Sequence, residues 1–131
     1  MQKLAIIGIG RWGKNLIRDL SKISNIKKCS SNGNQKNINW LKKHHPSLQY
    51  TSNPEEIFND KEIGAVIIST PLNTHYKLVK KALLSKKNVF VEKPLATNVI
   101  HINELIKLAQ KNKLNLFVGH VFLYNEIFNK I

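Results

Sequence analysis

Short apolar stretches alternate along the chain with segments whose apolar residues follow the 3.6-residue period of a helix. The stretches typical of strands are residues 3–8, 26–29, 48–51, 64–69, 88–91 and 114–119. The stretch at 64–69 is continuously apolar in its middle, as expected for a strand buried on both faces of a sheet. Strands that alternate with helices form parallel sheets through right-handed crossovers. The pattern therefore predicts an α/β fold: a doubly wound, parallel, six-stranded sheet in the order 3-2-1-4-5-6, with helices on both faces.

The same periodicity places the helices. Apolar positions three or four residues apart predict helices after the first, fourth and fifth strands, at Trp12, Leu16, Ile17, Leu20 and Ile23, at Tyr76, Val79, Ala82 and Leu83, and at Val99, Ile102, Leu105, Ile106 and Ala109. A helix carrying Ile38 and Leu41 ends before Pro46, and Pro54 can begin a short helix. Because no repeat or linker interrupts the alternation, we expect one domain over residues 1–131.

The formal net charge of +13 would favour a nucleic-acid-binding protein if the basic residues formed one surface. The lysines instead occur in every segment, and no DNA- or RNA-reading motif is present, so we expect no specific nucleic-acid partner. The single cysteine, Cys29, excludes a disulfide framework, and we assign no metal site. No apolar run approaches the ~18 residues of a membrane span. We expect a cytoplasmic protein with no membrane partner.

Residues 8–13, with the sequence GIGRWG, follow the first strand and open the first helix. In this setting Gly8 permits a tight turn, Gly10 lets the backbone approach a pyrophosphate, and Gly13 lets the helix pack close to the strand. The helix N-terminus offers N–H groups and a positive dipole end to the phosphates. The pattern predicts a Rossmann domain that binds a dinucleotide. The predicted cofactor contacts of this loop are Gly8, Gly10, Arg11, Trp12 and Gly13.

Polar residues also follow the fourth, fifth and sixth strands, at the sheet edge where open parallel sheets bind ligands. They are Thr70, Pro71, Asn73 and His75, then Glu92 and Lys93, then His120. We expect Asn73 to be the N-cap of the next helix and His75 to lie in its first turn. Each residue could also be incidental, since a surface Glu–Lys pair contributes under ~1 kcal/mol. Their joint placement favours a cofactor site.

Several segments resemble, in the same order, the N-terminal domain of the Gfo/Idh/MocA oxidoreductases. They are residues 7–15 (IGIGRWGKN), residues 69–71 (STP) with His75, residues 91–94 (VEKP) and residues 119–122 (GHVF). The resemblance covers essentially all of the chain. It implies an NAD- or NADP-dependent oxidoreductase that moves hydride to or from a hydroxyl of a sugar, cyclitol or sugar nucleotide.

The resemblance also implies roles for individual residues. Lys93 is similar to the lysine that lies near the nicotinamide and the reacting hydroxyl, where its ammonium could polarise the oxygen or join a proton relay. Glu92 would contact the nicotinamide-side ribose. Thr70, Pro71 and His75 would line the cofactor groove.

The chain departs from the family pattern after its second strand. That strand leads into residues 29–33 (CSSNG), with no acidic residue to hold the adenosine ribose of NAD. A hydrogen bond to a charged group contributes ~1.5–3 kcal/mol, so its absence could weaken NAD binding about 10–100-fold. Ser30, Ser31 and Lys36 could instead accept the 2′-phosphate of NADP. The sequence therefore leaves open whether the cofactor is NAD or NADP.

The family's C-terminal domain, which supplies substrate contacts and usually the oligomer interface, is absent from these residues. We expect a truncated gene, half of a split gene or an excised domain that binds cofactor and does not turn over alone. The alternative is a non-catalytic nucleotide-binding module that docks onto a partner chain, either a C-terminal half or a homologue.

Overall fold

The computed structural model describes residues 2–120 and contains one parallel sheet. Its six strands run in the order β3-β2-β1-β4-β5-β6. The strands are β1 (Lys3–Ile7), β2 (Ile26–Ser30), β3 (Gln49–Thr51), β4 (Ile63–Ile68), β5 (Asn88–Glu92) and β6 (Leu116–Gly119). The predicted fold class and strand order are confirmed.

Five α-helices connect the strands within the described residues. They are α1 (Arg11–Leu20), α2 (Gln35–His44), α3 (Glu55–Phe58), α4 (His75–Leu84) and α5 (Val99–Lys111), with a 3-10 turn at Leu72–Thr74 before α4. Asn34 and Asn98 cap α2 and α5, because each side-chain oxygen accepts a hydrogen bond from a backbone N–H three residues on. As predicted, α3 begins directly after Pro54. None of these helices is both long and apolar enough to cross a membrane.

The sheet separates two apolar cores, because successive side chains of a strand point to opposite faces. In β4, Val66 and Ile68 face the core shared with α4 and α5, whereas Ile67 faces the core shared with α1 and α2. Cys29 lies in the second core, and burial raises the pKa of its thiol to about 12. Its thiol is therefore neutral and part of the packing.

Two details of the predicted helices are wrong. The helical period places Trp12 and Ile23 on the same apolar face of the first helix as Ile17, but 58% of Trp12 and 78% of Ile23 is exposed. Gly13 and Ile17 form the buried face of α1, and Ile23 lies beyond the end of the helix. Asn73 is not an N-cap, because the chain first makes the 3-10 turn and α4 begins only at His75, after Thr74.

Candidate functional site

The glycine loop is shaped by contacts that only glycine permits at two of its positions. Gly8 has φ +106°, and a Cβ atom added there would lie 2.5 Å from the backbone oxygen of Ser69. The N–H of Gly8 donates to the carbonyl oxygen of Ser30 at 2.8 Å, which fixes the turn against the end of β2. Glycine is therefore required at this position, because its φ is positive and because a side chain would clash with Ser69.

Gly13 and Gly10 differ in what surrounds them. A Cβ atom on Gly13 would lie 1.9 Å from the carbonyl oxygen of Gly8, so α1 starts in direct contact with the loop. A Cβ atom on Gly10 would have none of the described atoms within 4 Å. Gly10 is exposed at the N-terminus of α1, where backbone N–H groups have no partner within the helix. The space above Gly10 thus suits an anionic group that approaches the backbone closely.

The loop after β4 is held against the glycine loop. Ser69 donates its hydroxyl to the carbonyl oxygen of Gly8 at 3.0 Å and its N–H to the carbonyl oxygen of Ile7 at 2.9 Å. The hydroxyls of Thr70 and Thr74 lie 2.6 Å apart, and Thr74 also donates to the carbonyl oxygen of Pro71. These bonds stabilise the 3-10 turn, which includes Asn73, the residue predicted to be the N-cap.

His75 is buried, with 2% of its surface exposed, at the first position of α4. Its Nδ1 lies 2.7 Å from the carbonyl oxygen of Pro94, and its Nε2 lies 2.8 Å from the carbonyl oxygen of Thr70. Both polar atoms of the ring are thus engaged by backbone groups of two different loops. The prediction that His75 lies in the first turn of this helix is confirmed.

The turn after β5 carries the two charged residues predicted for the nicotinamide side. Glu92 is half-buried and pairs in register with Gly119 of β6, where an added Cβ atom would lie 3.2 Å from the Glu92 Oε2 atom. Lys93 is exposed at the sheet edge, and the Lys93–Pro94 peptide bond is cis. The carboxylate therefore leans over β6, while the lysine extends from the turn beside it.

Two cavities join these loops at the carboxyl edge of the sheet. One, of about 360 Å³, is lined by residues that include Gly8, Gly10, Ser31, Asn32, Ser69 and Thr70. The other, of about 200 Å³, is lined by Trp12, Ser69, Thr70, Leu72, His75, Glu92 and Lys93. Because Ser69 and Thr70 border both cavities, the two cavities lie side by side, and together they form the cleft between the glycine loop and the Glu-Lys-Pro turn.

The end of β2 forms the far side of this cleft. Ser30 is 1% exposed and contributes its backbone rather than its hydroxyl. Ser31 lines the cavity, and its hydroxyl lies 3.3 Å from that of Tyr50. The other described polar residues of this cavity are hydroxyl or amide residues, so its described lining contains no carboxylate.

An apolar groove of about 250 Å³ adjoins the smaller cleft cavity, with which it shares Trp12 and Glu92, and lies on the face of β5 and β6 next to α1. Trp12, Phe90 and Phe117 line it together with Glu92 and His120, and 55% of Phe117 is exposed. His120 thus lies in this groove rather than among the residues of the two cleft cavities. The part of the predicted segment that follows His120 lies outside the described residues.

The structure brings most of the predicted cofactor residues to the cleft. Those that line it are Gly8, Gly10, Trp12, Ser31, Thr70, Pro71, His75, Glu92 and Lys93. Gly13 and Ser30 do not line the cleft but support the glycine loop, Gly13 by close packing and Ser30 through its backbone oxygen. Arg11 is exposed at the start of α1, and Asn73 is exposed in the 3-10 turn. Lys36 is exposed on α2.

Sequence reasoning did not assign roles to several polar residues of the cleft. They are Asn32, Asn34, Asn37, Ser69 and Thr74. Asn34 had a recognisable signal, because an asparagine just before an apolar periodic segment is typical of an N-cap. Ser69 had a weaker one, its position at the end of the predicted fourth strand. Among residues 2–120, no three histidine, cysteine or acidic side chains are arranged to hold a metal ion.

The doubly wound sheet and the glycine-lined cleft at its carboxyl edge define a Rossmann domain. Residues 2–120 match the family described as "Oxidoreductase family, NAD-binding Rossmann fold", the Gfo/Idh/MocA family, and the chain belongs to it. The predicted resemblance is confirmed.

The relatives are oxidoreductases that are longer than this chain. The uncharacterized oxidoreductase YrbE of Bacillus subtilis is 31% identical over 129 residues, which are 96% of this chain and 37% of YrbE. The myo-inositol 2-dehydrogenase of Thermotoga maritima is 28% identical over 130 residues, 98% of this chain and 39% of that enzyme. The chain therefore spans well under half the length of these relatives.

Solved structures show the same fold. The apo scyllo-inositol dehydrogenase of Lactobacillus casei superposes with a TM-score of 0.86 at 22% identity, over 96% of this chain and 38% of the enzyme. At this identity the likeness concerns the fold alone.

Proposed function

We propose that this chain is the cofactor-binding part of an NAD(P)-dependent oxidoreductase that moves hydride to or from a hydroxyl of a sugar or cyclitol. One observation carries the proposal: the glycine loop and the Glu-Lys-Pro turn border cavities that share Ser69 and Thr70. A dinucleotide needs such an arrangement, because its diphosphate and its nicotinamide must be held at two points of one crevice.

Each end of the cleft suits a different part of the cofactor. The diphosphate would lie above Gly10, at the N-terminus of α1 and in the space that a Cβ atom would fill. The adenosine end would lie by Ser31 and Asn32, and the nicotinamide end by Thr70, Glu92 and Lys93. When bound, the cofactor supplies the hydride donor or acceptor. Lys93 would then be the catalytic residue that holds or moves the proton of the substrate hydroxyl.

We propose that the adenosine end accepts NADP as well as NAD. The described lining by Ser31 and the neighbouring asparagines has hydroxyl and amide groups that can hydrogen-bond a ribose or a phosphate. Without a carboxylate there, a 2′-phosphate meets no fixed negative charge. Dissociation constants for NADPH and NADH within about tenfold of each other are expected.

The substrate class rests on the relatives. The T. maritima relative is named a myo-inositol 2-dehydrogenase, which supports a cyclitol or a related sugar alcohol as substrate. Because most of that enzyme's length lies outside the match, we propose that turnover also needs groups beyond these 131 residues, in the same polypeptide or in a partner chain. A nicotinamide-dependent reaction and a reduced Cys29 fit a cytoplasmic location.

The experiment is a titration of NADH and NADPH followed by nicotinamide fluorescence. Saturable binding by the wild-type chain, lost in Gly10→Asp, would support the proposal. Gly10 is chosen because an added side chain there meets none of the described atoms within 4 Å of its Cβ. The substitution therefore adds volume and charge to the site without a clash inside the protein. A flat titration at millimolar cofactor, with the chain shown to be folded, would contradict it.

A non-catalytic module that docks onto another chain is the second candidate. The apolar groove favours it, because Trp12 and Phe117 are large aromatic residues that are more than half exposed. The discriminating experiment mixes this chain with a separately produced C-terminal part of a relative. Turnover after mixing would support half of a split enzyme, and association without turnover would support the module.

A further inference from the structure

We propose that His75 is a positioning residue that ties the loop after β4 to the loop after β5 and thereby sets where Lys93 stands in the cleft. The inference rests on the function proposed above and adds to it a residue that acts through the backbone. The geometry is specific: one ring nitrogen contacts the carbonyl oxygen of Thr70 and the other contacts that of Pro94. With 2% of its surface exposed, the ring has little room to turn elsewhere.

The sheet itself does not reach these loops. The pairing described between β4 and β5 ends at Ile68 and Val91, before either Thr70 or Lys93. Beyond that point the two loops are connected through the imidazole, at 2.8 Å to one loop and 2.7 Å to the other. Inside the sheet, β4 and β5 are held together by strand pairing. Beyond the sheet, the His75 ring holds their two loops together.

The same connection extends to the glycine loop. Ser69, which precedes Thr70, donates its hydroxyl to the carbonyl oxygen of Gly8 at 3.0 Å. Close polar contacts and peptide bonds therefore run from Gly8 through Ser69 and His75 to Pro94, the residue after Lys93. Since a misplacement of about 1 Å can cost a site about a hundredfold in rate, a fixed distance between these two loops matters for a ligand that spans them.

Histidine is suited to this position by its shape. Carbonyl oxygens only accept hydrogen bonds, and the imidazole ring places its two nitrogens on different sides of one rigid plane, so a neutral ring donates to one of the two carbonyls and an imidazolium donates to both. An amide side chain has a single nitrogen and can reach one of the two carbonyls. Asparagine resembles the Nδ1 side, which faces Pro94, and glutamine resembles the Nε2 side, which faces Thr70.

The test compares NADH with ADP-ribose, which lacks the nicotinamide, in wild type and in His75→Ala. We expect the variant to bind NADH about tenfold more weakly, because the ring contacts that connect the loop of Thr70 to the loop of Lys93 are lost. Its affinity for ADP-ribose should change less than about twofold. The control is His44→Ala, an exposed histidine whose ring contacts only its own helix among the contacts described, and it should leave both affinities unchanged.

Rescue separates positioning from simple packing. Because the Pro94 contact is the one nearest Lys93, His75→Asn should recover more NADH affinity than His75→Gln. Equal weakening of NADH and ADP-ribose in His75→Ala, or no weakening of either, would overturn the inference. So would loss of folding in all three variants, since His75 would then be a requirement of the core. A wild-type chain that binds neither ligand would instead refute the proposed function.

Discussion

The two edges of the sheet both carry polar residues but use them differently. At the amino edge, charged side chains neutralise one another. Lys27 lies 2.6 Å from Asp60 and 2.9 Å from Glu62, and Lys3 lies 2.7 Å from Glu62. Buried Lys87 donates to the backbone oxygens of Asp60 and Ile63 at 2.6 and 2.7 Å. Polar groups at this edge are thus satisfied by the protein itself.

At the carboxyl edge, polar side chains instead hold backbone in place around open space. Ser69 and His75 bind carbonyl oxygens of neighbouring loops, and Gly10 leaves the helix N-terminus uncovered by the described residues. The amino edge therefore contributes stability, whereas the carboxyl edge carries the proposed ligand site. Substitutions at the two edges should therefore have different consequences.

The largest expected effect is on folding, at the carboxyl edge. Gly13→Ala would place a Cβ atom 1.9 Å from the carbonyl oxygen of Gly8, so α1 would have to move away from the loop. We expect a loss of about 3 kcal/mol or more in the free energy of unfolding. Urea denaturation followed by circular dichroism would measure it. A stability equal to wild type would show that the close contact between the loop and α1 is wrong.

The next effect separates binding from folding at the same loop. Gly10→Ala adds the same methyl group where no described atom lies within 4 Å. Stability should stay within about 0.5 kcal/mol of wild type, while NADH affinity should fall about tenfold or more because the methyl group occupies the approach to the helix N-terminus. Urea denaturation would measure the stability, and isothermal titration calorimetry would measure the NADH affinity. Weaker folding with unchanged binding would reverse the assignment of this edge.

At the amino edge, removal of a buried donor should reduce stability and leave binding intact. Lys87→Met keeps the aliphatic length but leaves two carbonyl oxygens without the ammonium that they bind. The expected cost is about 1–3 kcal/mol, measured by urea denaturation, with NADH affinity unchanged. The control is Lys61→Met, an exposed lysine at the same edge, which should cost less than about 0.5 kcal/mol.

The smallest effect is the response of the amino edge to acid. A hydrogen bond from Lys27 lowers the pKa of Asp60 below its usual 3.8, and hydrogen bonds from Lys3 and then Lys27 lower that of Glu62 below its usual 4.5. The folded chain therefore keeps these carboxylates charged where the unfolded chain is already protonated. Their contribution is present above the usual values and is lost as the pH falls through the lowered ones.

Urea midpoints measured between neutral pH and pH of about 3 would detect this loss. Asp60→Asn should reduce the dependence on pH, because it removes the carboxylate whose pKa the fold lowers. An acid dependence that is the same in Asp60→Asn and wild type would show that this pair contributes nothing to it.

The alternating pattern was enough to predict the sheet, because strands buried on both faces, such as residues 64–69, read as continuous apolar runs. The glycine loop was equally readable, since its spacing has one common use after a first strand. Helical periodicity was less informative about helix ends. It grouped Trp12 and Ile23 with the apolar face of α1, but Trp12 is exposed at the start of the helix and Ile23 lies beyond its end.

The contacts of the cleft that sequence did not reveal are those between distant loops. Nothing near His75 in the sequence indicates that Pro94, 19 residues later, supplies one of its partners. Asn73 looked like an N-cap because it precedes an apolar helix, but the hydroxyl pair of Thr70 and Thr74 stabilises another turn. The burial of Lys87 was missed for the same reason, since its carbonyl partners belong to another segment.

The central claim is that the glycine loop and the Glu-Lys-Pro turn form one cofactor cleft at one edge of the sheet. Its most direct test is a titration of isotopically labelled chain with NADH, followed by backbone amide NMR. Signals of residues 8–13 and of Glu92 and Lys93 should shift together with one dissociation constant, while those of Lys27 and Lys87 stay in place. Shifts at only one of the two loops, or at the amino edge, would contradict it.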